Sequence, residues 1–126
     1  MIAVLVVVFV VVRLAHHTSS PVKLDGKVSN HGTRTVQSGA TTRVLLQDTS
    51  YNPTFILVPP DGRITLTLQD QGFHAHTFTA PDLNLDLTLA PNTSQTVTVT
   101  LPRSGVVSFY CRFHVDKGMQ GAFVVR

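Results

Sequence analysis

A strict alternation of apolar and polar residues most limits how this chain can fold. In residues 62–69 three aliphatic side chains alternate with polar ones, and the same period of two recurs in residues 83–89 and 96–101. Successive side chains of a β-strand point to opposite faces, so this pattern predicts strands with one buried and one solvent-exposed face. Val and Thr, which both favour strands, fill 35 of the 126 positions, and glutamate is absent. The chain is therefore predicted to be all-β.

Clusters of turn-forming residues separate the predicted strands. Residues 59–62, 90–92 and 102–105 combine Pro with Gly, Asn, Asp, Ser or Ala, a composition typical of turns. Further short apolar stretches lie at residues 44–47, 55–58, 76–79, 106–110 and 122–125. Together these segments predict about eight strands between residues 43 and 126. Many short strands without helical stretches indicate a β-sandwich or a β-barrel.

The N-terminal third of the chain has a different character. Residues 2–12 form an unbroken apolar run, which is too short for a helix that spans a bilayer (about 20 residues) but typical of a signal peptide. We interpret residues 1–17 as a signal peptide or a short membrane anchor, with a tether through residues 2–12 in the second case. A buried strand is the alternative interpretation of this Val-rich run.

The segment that follows the apolar run lacks hydrophobic periodicity. Residues 18–42 are rich in Ser, Thr, Gly and Asn, and we predict that they form a flexible linker. Residues 43–126 are then the folded domain. With a leader in front of it, this domain is expected to be exported to the periplasm, the extracellular space or the cell surface.

The distribution of charge argues against binding to nucleic acid. Charged residues make up only 13% of the chain, and its net charge of +3 resides in residues 1–42. Residues 43–126 contain six basic residues and six aspartates and are neutral. Because neutralising phosphates supplies much of the affinity for nucleic acid, we expect no such partner.

Residues with metal-ligand chemistry cluster near the C-terminus. The only cysteine, Cys111, is followed by His114 and Met119, and His76 opens a predicted strand further upstream. Two imidazoles, one thiolate and a weakly bound thioether are the ligand set of a type 1, or blue, copper site. Cys111 ends one predicted strand and the next begins after Met119, so the loop between them must turn back on itself. Gly118 suits such a tight loop.

Two alternative interpretations of these residues stay open. His74 lies two residues before His76, on the same face of a regular strand, and is either a second candidate ligand or a surface histidine. We prefer His76 because the strand and the aromatic residue that follow it fit the ligand pattern better. The set could also be structural, with a buried Cys111, a loop His114 and a core Met119.

Three segments of the sequence resemble the cupredoxins, in particular the small plastocyanin- and pseudoazurin-like proteins. The resemblance extends over most of residues 43–126. It rests on an aromatic-x-Pro opening at Tyr51-Asn52-Pro53, on His76-Thr77-Phe78, and on a closing segment in which Phe109-Tyr110-Cys111 precedes His114, Gly118-Met119 and Gly121. It implies a Greek-key sandwich or barrel, electron transfer as the activity, and one copper ion bound by His76, Cys111, His114 and Met119.

The sequence departs from the family pattern at two positions. Thr77 stands where the family usually has Asn, whose side chain ties the two ligand loops together, and a hydroxyl replaces only part of that hydrogen bonding. Phe113 stands just before His114, where plastocyanin-like members often have Pro. Its backbone N–H is a candidate donor to the sulfur of Cys111, and such donors tune the redox potential.

These observations favour a monomeric blue copper protein that shuttles single electrons between redox partners outside the cytoplasm. A redox donor and acceptor are expected to dock transiently beside His114, which Phe113 and Val115 flank. Binding, trafficking or detoxifying copper without electron transfer is the alternative function. The sequence contains no nucleophile elbow, phosphate loop or dinucleotide motif. A single cysteine also excludes a binuclear, two-cysteine copper centre, so we expect no catalytic activity of its own.

Overall fold

The computed structural model describes residues 20–126, so the predicted leader at residues 1–17 lies outside the described residues. Between residues 20 and 126 the chain forms ten β-strands in two sheets. The strands are β1 Thr33–Thr35, β2 Thr41–Gln47, β3 Ser50–Asn52, β4 Phe55–Val58, β5 Arg63–Asp70, β6 His76–Ala80, β7 Leu85–Leu89, β8 Ser94–Thr100, β9 Val106–Tyr110 and β10 Gln120–Val125.

The two sheets pack face to face as a sandwich. One sheet has six strands in the order β1-β4-β10-β9-β6-β7, and the other has four in the order β3-β2-β5-β8. Consecutive strands repeatedly change sheet, as from β3 to β4, from β4 to β5 and from β5 to β6. Most neighbours are antiparallel, whereas β4 runs parallel to β1 and β10, and β2 runs parallel to β5. The predicted all-β Greek-key sandwich is confirmed.

Helical structure in the described part of the chain is limited to two 3₁₀ turns, Pro81–Leu83 and Val115–Lys117. Among residues 20–126, no helix is long and apolar enough to cross a membrane. The second turn lies in the loop between β9 and β10, which contains three of the candidate ligands. It therefore determines how that loop is shaped.

The alternating sequence pattern generates the core between the sheets. On β5 the three aliphatic side chains are fully buried, and the threonines between them are partly exposed. Tyr51 from the four-stranded sheet packs with Phe78 and Phe109 of the other sheet. Phe123 packs against the same two phenylalanine rings, and the ring centroids in this cluster are 4.6–6.4 Å apart. These edge-to-face and stacked contacts are favourable for aromatic rings. The Tyr51 hydroxyl donates to the carbonyl of Thr77, which connects the core to the residue beside His76.

The observed strands differ from the predicted ones in number and at several ends. The structure adds β1 and β3, each of three residues, which is too short for an alternating pattern to be visible in the sequence. The strand predicted at residues 83–89 begins at Leu85 instead, because Pro81–Leu83 form a 3₁₀ turn. The sandwich consequently has ten strands rather than about eight.

The predicted flexible linker at residues 18–42 is a packed part of the domain over its described portion. Strand β1 pairs with β4 and extends the six-stranded sheet, and Val36 is 6% exposed in the core. Nearer the N-terminus, Ser29 N–H donates to Gly118 O at 2.9 Å. The sequence pattern missed this packing because all three side chains of β1 are exposed. The strand is held by backbone hydrogen bonds, which leave no hydrophobic period.

Val36→Ala tests whether this segment belongs to the folded domain. Removing two buried methyl groups should lower the free energy of unfolding by about 1 to 3 kcal/mol, measured by urea denaturation. Val106→Ala is the matched control, because Val106 is 43% exposed on β9 and its truncation should cost about 0.5 kcal/mol or less. Equal effects of the two substitutions would contradict the packed arrangement.

Candidate metal centre

Two neighbouring strands of the six-stranded sheet bring His76 and Cys111 together. His76 is the first residue of β6, and Cys111 directly follows the end of β9. The two strands run antiparallel with Thr79 opposite Tyr110, so the start of one and the end of the other lie at the same edge. Both side chains therefore reach the same end of the sandwich.

The loop from Cys111 to Met119 closes on itself through its backbone. His114 N–H donates to Cys111 O at 3.3 Å, and Cys111 N–H donates to Met119 O at 3.0 Å. Gly118 ends the 3₁₀ turn with a φ of 97°, a conformation that glycine adopts without a steric penalty. A Cβ at this position would also lie 2.9 Å from Ser29 N. The loop thus depends on glycine both for its turn and for the N-terminal segment that packs on it.

Three potential ligand atoms lie within reach of one ion. The Nδ1 atoms of His76 and His114 are 3.1 Å apart, and the sulfur of Cys111 is 3.9 Å from the first and 3.6 Å from the second. With metal bonds of about 2.0 Å to nitrogen and 2.3 Å to sulfur, two ligands of one ion are at most about 4.0 to 4.3 Å apart. All three separations satisfy this limit. Among the described residues, these three form the cluster with metal-binding geometry.

The other two sequence candidates lie in different surroundings. Met119 is completely buried, and its backbone N–H donates to His114 O at 3.2 Å. It therefore sits at the base of the same loop as two members of the cluster. His74 is exposed, with its ring centroid 6.2 Å from that of His114, and it is not part of the three-residue cluster.

Desolvation and nearby charges favour the neutral form of the His114 imidazole, which can bind a metal. Cys111 and His76 are fully buried, whereas His114 is partly exposed. Desolvation, together with the nearby charges of His76 and Lys117, lowers the pKa of His114 below its ordinary value. A lower pKa keeps this imidazole neutral at physiological pH, the form in which it binds metals.

The sulfur of Cys111 accepts a backbone hydrogen bond from Thr77 N–H at 3.4 Å. The sequence had suggested Phe113 N–H as this donor, but the structure gives the role to Thr77. The reason is geometric, since β6 runs beside the end of β9 and presents its backbone to the sulfur. An N–H donor at this distance stabilises negative charge on a thiolate.

The hydroxyl of Thr77 belongs to a closed ring of hydrogen bonds. It accepts from Arg112 N–H at 2.9 Å and is bonded to the hydroxyl of Thr79 at 2.9 Å. Thr79 donates to Asp86 at 2.8 Å, and the same carboxylate oxygen accepts from Arg112 Nε at 3.1 Å. The bonds from Thr79 and Arg112 hold the pKa of Asp86 below its ordinary value. Four side chains thus tie β6 to the cysteine loop.

Two aspartates near the cluster were not identified from the sequence. Asp48 follows β2, and its Oδ1 lies 3.1 Å from Nε2 of His76, but no motif links residues 28 positions apart. Asp70 is fully buried at the end of β5, and desolvation raises the pKa of its carboxyl. A buried aspartate is unusual, because such side chains are mostly exposed in folded proteins. The alternation did contain a signal, because Asp70 continues the buried face of Leu66 and Leu68.

Comparison with known proteins identifies the family of this domain. A family model described as a cupredoxin-like domain matches residues 2–125. The chain belongs to the cupredoxin-like family. A search of curated protein sequences found no significant match. The fold is nevertheless similar to those of several solved structures.

Auracyanins and a domain of a copper exporter are among the similar structures. Auracyanin from Roseiflexus castenholzii is 20% identical with a TM-score of 0.53, over 75% of this chain and 96% of that one. Auracyanin A from Chloroflexus aurantiacus, described as a "blue" copper protein, is 15% identical with a TM-score of 0.58, over 70% and 100%. The metal-binding domain of a Cu(I)-exporting P-type ATPase from Streptococcus pneumoniae is 14% identical with a TM-score of 0.59, over 73% and 95%.

The residues of this cupredoxin-like domain fit copper as the cofactor. Two imidazoles and a thiolate in a buried cluster, with a methionine in the same loop, make up the donor set of a type 1 copper site. Thiolate and thioether sulfur favour copper over magnesium or calcium, which prefer oxygen ligands.

Thr77→Val tests the hydrogen-bond ring, because valine keeps the shape of threonine and removes the hydroxyl. Arg112 N–H loses its acceptor, so the free energy of unfolding should fall by about 1 to 3 kcal/mol. Copper affinity should fall by about 10- to 100-fold as the loop loosens, measured by competition with a chelator. Thr96→Val, at an exposed position on β8, is the matched control. If both variants bind copper like the wild type, the ring does not support the site.

Proposed function

We propose that this domain is a type 1 copper protein that carries single electrons between redox proteins outside the cytoplasm. His76, Cys111 and His114 are the principal ligands, and Met119 is the weak axial ligand. The observation that carries this proposal is the convergence of two Nδ1 atoms and one sulfur, all within 3.9 Å of one another. These three atoms can bind one ion without rearrangement of the chain.

The protein's contribution to electron transfer is a site that does not need to change shape. When bound, copper supplies the one-electron couple between Cu(II) and Cu(I), since sulfur suits the reduced ion and imidazole suits both. The buried side chains of His76 and Cys111 exclude water from their side of the cluster. The hydrogen bond from Thr77 and the closed loop hold the sulfur in place. Small reorganisation makes electron transfer fast.

The exposed edge of His114 supports docking of redox partners at this end of the sandwich. Phe113 is 50% exposed and Val115 37% exposed on either side of it, and Phe73 is exposed on the loop before β6. Arg112 lies over the ring of Phe113, 5.4 Å from its centroid. A small apolar rim with basic residues beside it suits a transient interface. We expect the domain to act as a monomer between successive encounters.

Export rests on the apolar leader at residues 1–17. The test is to fractionate cells that express the protein and to determine its first residue in each fraction by mass spectrometry. A start near residue 18 supports a cleaved signal peptide. An intact N-terminus in the membrane fraction supports a tether through residues 2–12, and an intact protein in the cytosol contradicts export.

Copper delivery is the second candidate, and the likeness to the exporter domain gives it a basis. Delivery requires an acceptor to reach the ion by ligand exchange, yet Cys111 and His76 are fully buried. Burial favours retention of the ion over release. The carrier interpretation is accordingly preferred.

Cys111→Ser tests the ligand set directly. The wild-type protein with Cu(II) should show an intense thiolate-to-copper charge-transfer band in the visible spectrum, which a reductant bleaches reversibly. Cys111→Ser should lose the band completely, whereas Met119→Leu should keep it and raise the reduction potential, because the axial ligand tunes that potential. His31→Ala, an exposed histidine outside the cluster, should match the wild type. A band that survives in Cys111→Ser contradicts the proposed site.

Repeated redox cycling in the presence of a Cu(I) chelator separates the carrier from the delivery protein. We expect the copper-loaded protein to keep its metal and its visible band through many cycles of reduction and reoxidation. Rapid loss of copper to the chelator in the first reduced phase, with protein that was never loaded with copper as the metal-free reference, would instead assign the domain to delivery.

A further inference from the structure

Asp48 forms a contact with the cluster that the proposed function does not use. His76 is fully buried and presents two nitrogens in opposite directions. Nδ1 faces His114 and Cys111, whereas Nε2 lies 3.1 Å from Oδ1 of Asp48. The carboxylate thus occupies the far side of a candidate ligand imidazole.

The contact joins the two sheets of the sandwich. Asp48 follows β2 in the four-stranded sheet, and His76 begins β6 in the six-stranded sheet. Phe73 N–H donates to both carboxylate oxygens of Asp48, at 3.2 and 3.4 Å. The carboxylate is therefore held from one side by backbone and aimed at the imidazole from the other.

Gly72 leaves the space that this contact needs. A Cβ at position 72 would lie 2.7 Å from Nε2 of His76 and closer still to Oδ1 of Asp48. Any other residue there would push the carboxylate and the imidazole apart. A glycine against both partners is a second observation, independent of the distance between them, that indicates a built contact.

Both oxygens of the Asp48 carboxylate act as hydrogen-bond acceptors. Phe73 N–H donates to each of them, and 37% of the side chain is exposed to solvent. An ionised carboxylate accepts hydrogen bonds and donates none. The proton between the two groups accordingly resides on Nε2 of His76, which leaves the lone pair on Nδ1.

We propose that Asp48 is a positioning residue that fixes the tautomer of His76, aims Nδ1 at the metal and favours Cu(II) over Cu(I). A carboxylate that accepts the remote N–H of a ligand imidazole makes that imidazole a stronger donor. Its negative charge also stabilises the more highly charged ion. Asp48 therefore lowers the reduction potential of the site. The part of this proposal that concerns copper rests on the proposed function, whereas the tautomer does not.

The first test uses the metal-free protein and is independent of copper. Nitrogen NMR of the His76 imidazole distinguishes protonation at Nε2 from protonation at Nδ1. The wild type should show the Nε2–H form with a hydrogen-bonded proton, and Asp48→Ala should show a mixture of tautomers. An unchanged spectrum in Asp48→Ala would overturn the positioning role, whether or not the protein binds copper.

The second test compares reduction potentials of the copper-loaded protein. Asp48→Asn keeps an oxygen acceptor and removes the charge, and we expect it to shift the ratio of Cu(II) to Cu(I) affinity about tenfold toward Cu(I). That shift raises the potential by about 59 mV. Gly72→Ala should shift it in the same direction, because it separates the two partners without altering either.

Asp116→Asn is the matched control for charge alone. Asp116 is exposed in the loop between His114 and Met119, so it is near the site without contacting the far nitrogen of His76. A smaller shift than that of Asp48→Asn supports the proposal. Equal shifts in the two variants, or no shift in Asp48→Asn while the visible band persists, overturn it and leave the copper function intact. If the copper-loaded wild-type protein lacks the visible band, the result contradicts the proposed function instead.

Discussion

The start of β6 and the residues just after β9 are joined by hydrogen bonds on which the rest of the site depends. Thr77 N–H donates to the sulfur of Cys111, and the hydroxyl of Thr77 accepts from Arg112 N–H. These bonds set the distance between the two segments that supply His76 and Cys111. The loop that follows can then close back through Met119 and place His114 against both.

Much of the fold and of the cluster was predictable because both depend on local patterns. Period-two alternation identified β5 and β8, and the residues flanking Cys111 identified the cysteine loop as a turn between two strands. The structure brings together three of the four candidate ligands at the distances a single ion allows. His76 was preferred over His74 on its position in a strand, and it is the buried one of the two.

What the sequence did not reveal depends on contacts without a local pattern. Asp48 meets His76 only because two different sheets converge at one end of the sandwich. The hydrogen-bond ring that contains Thr77 needs Asp86 from the neighbouring strand β7. Backbone pairing of β1 likewise leaves no trace in its exposed side chains. Such features follow from the topology, and spacing along the chain carries no information about them.

The pairing of β1 with β4 affects whether the domain stays monomeric when its N-terminal segment is removed. Strand β4 carries four consecutive apolar residues, three of them buried, and β1 covers its outer edge. A shortened protein that began at residue 43 would leave that hydrophobic edge with unsatisfied backbone groups, which is a template for self-association. By covering the edge of β4, strand β1 therefore prevents neighbouring molecules from pairing with it as additional strands.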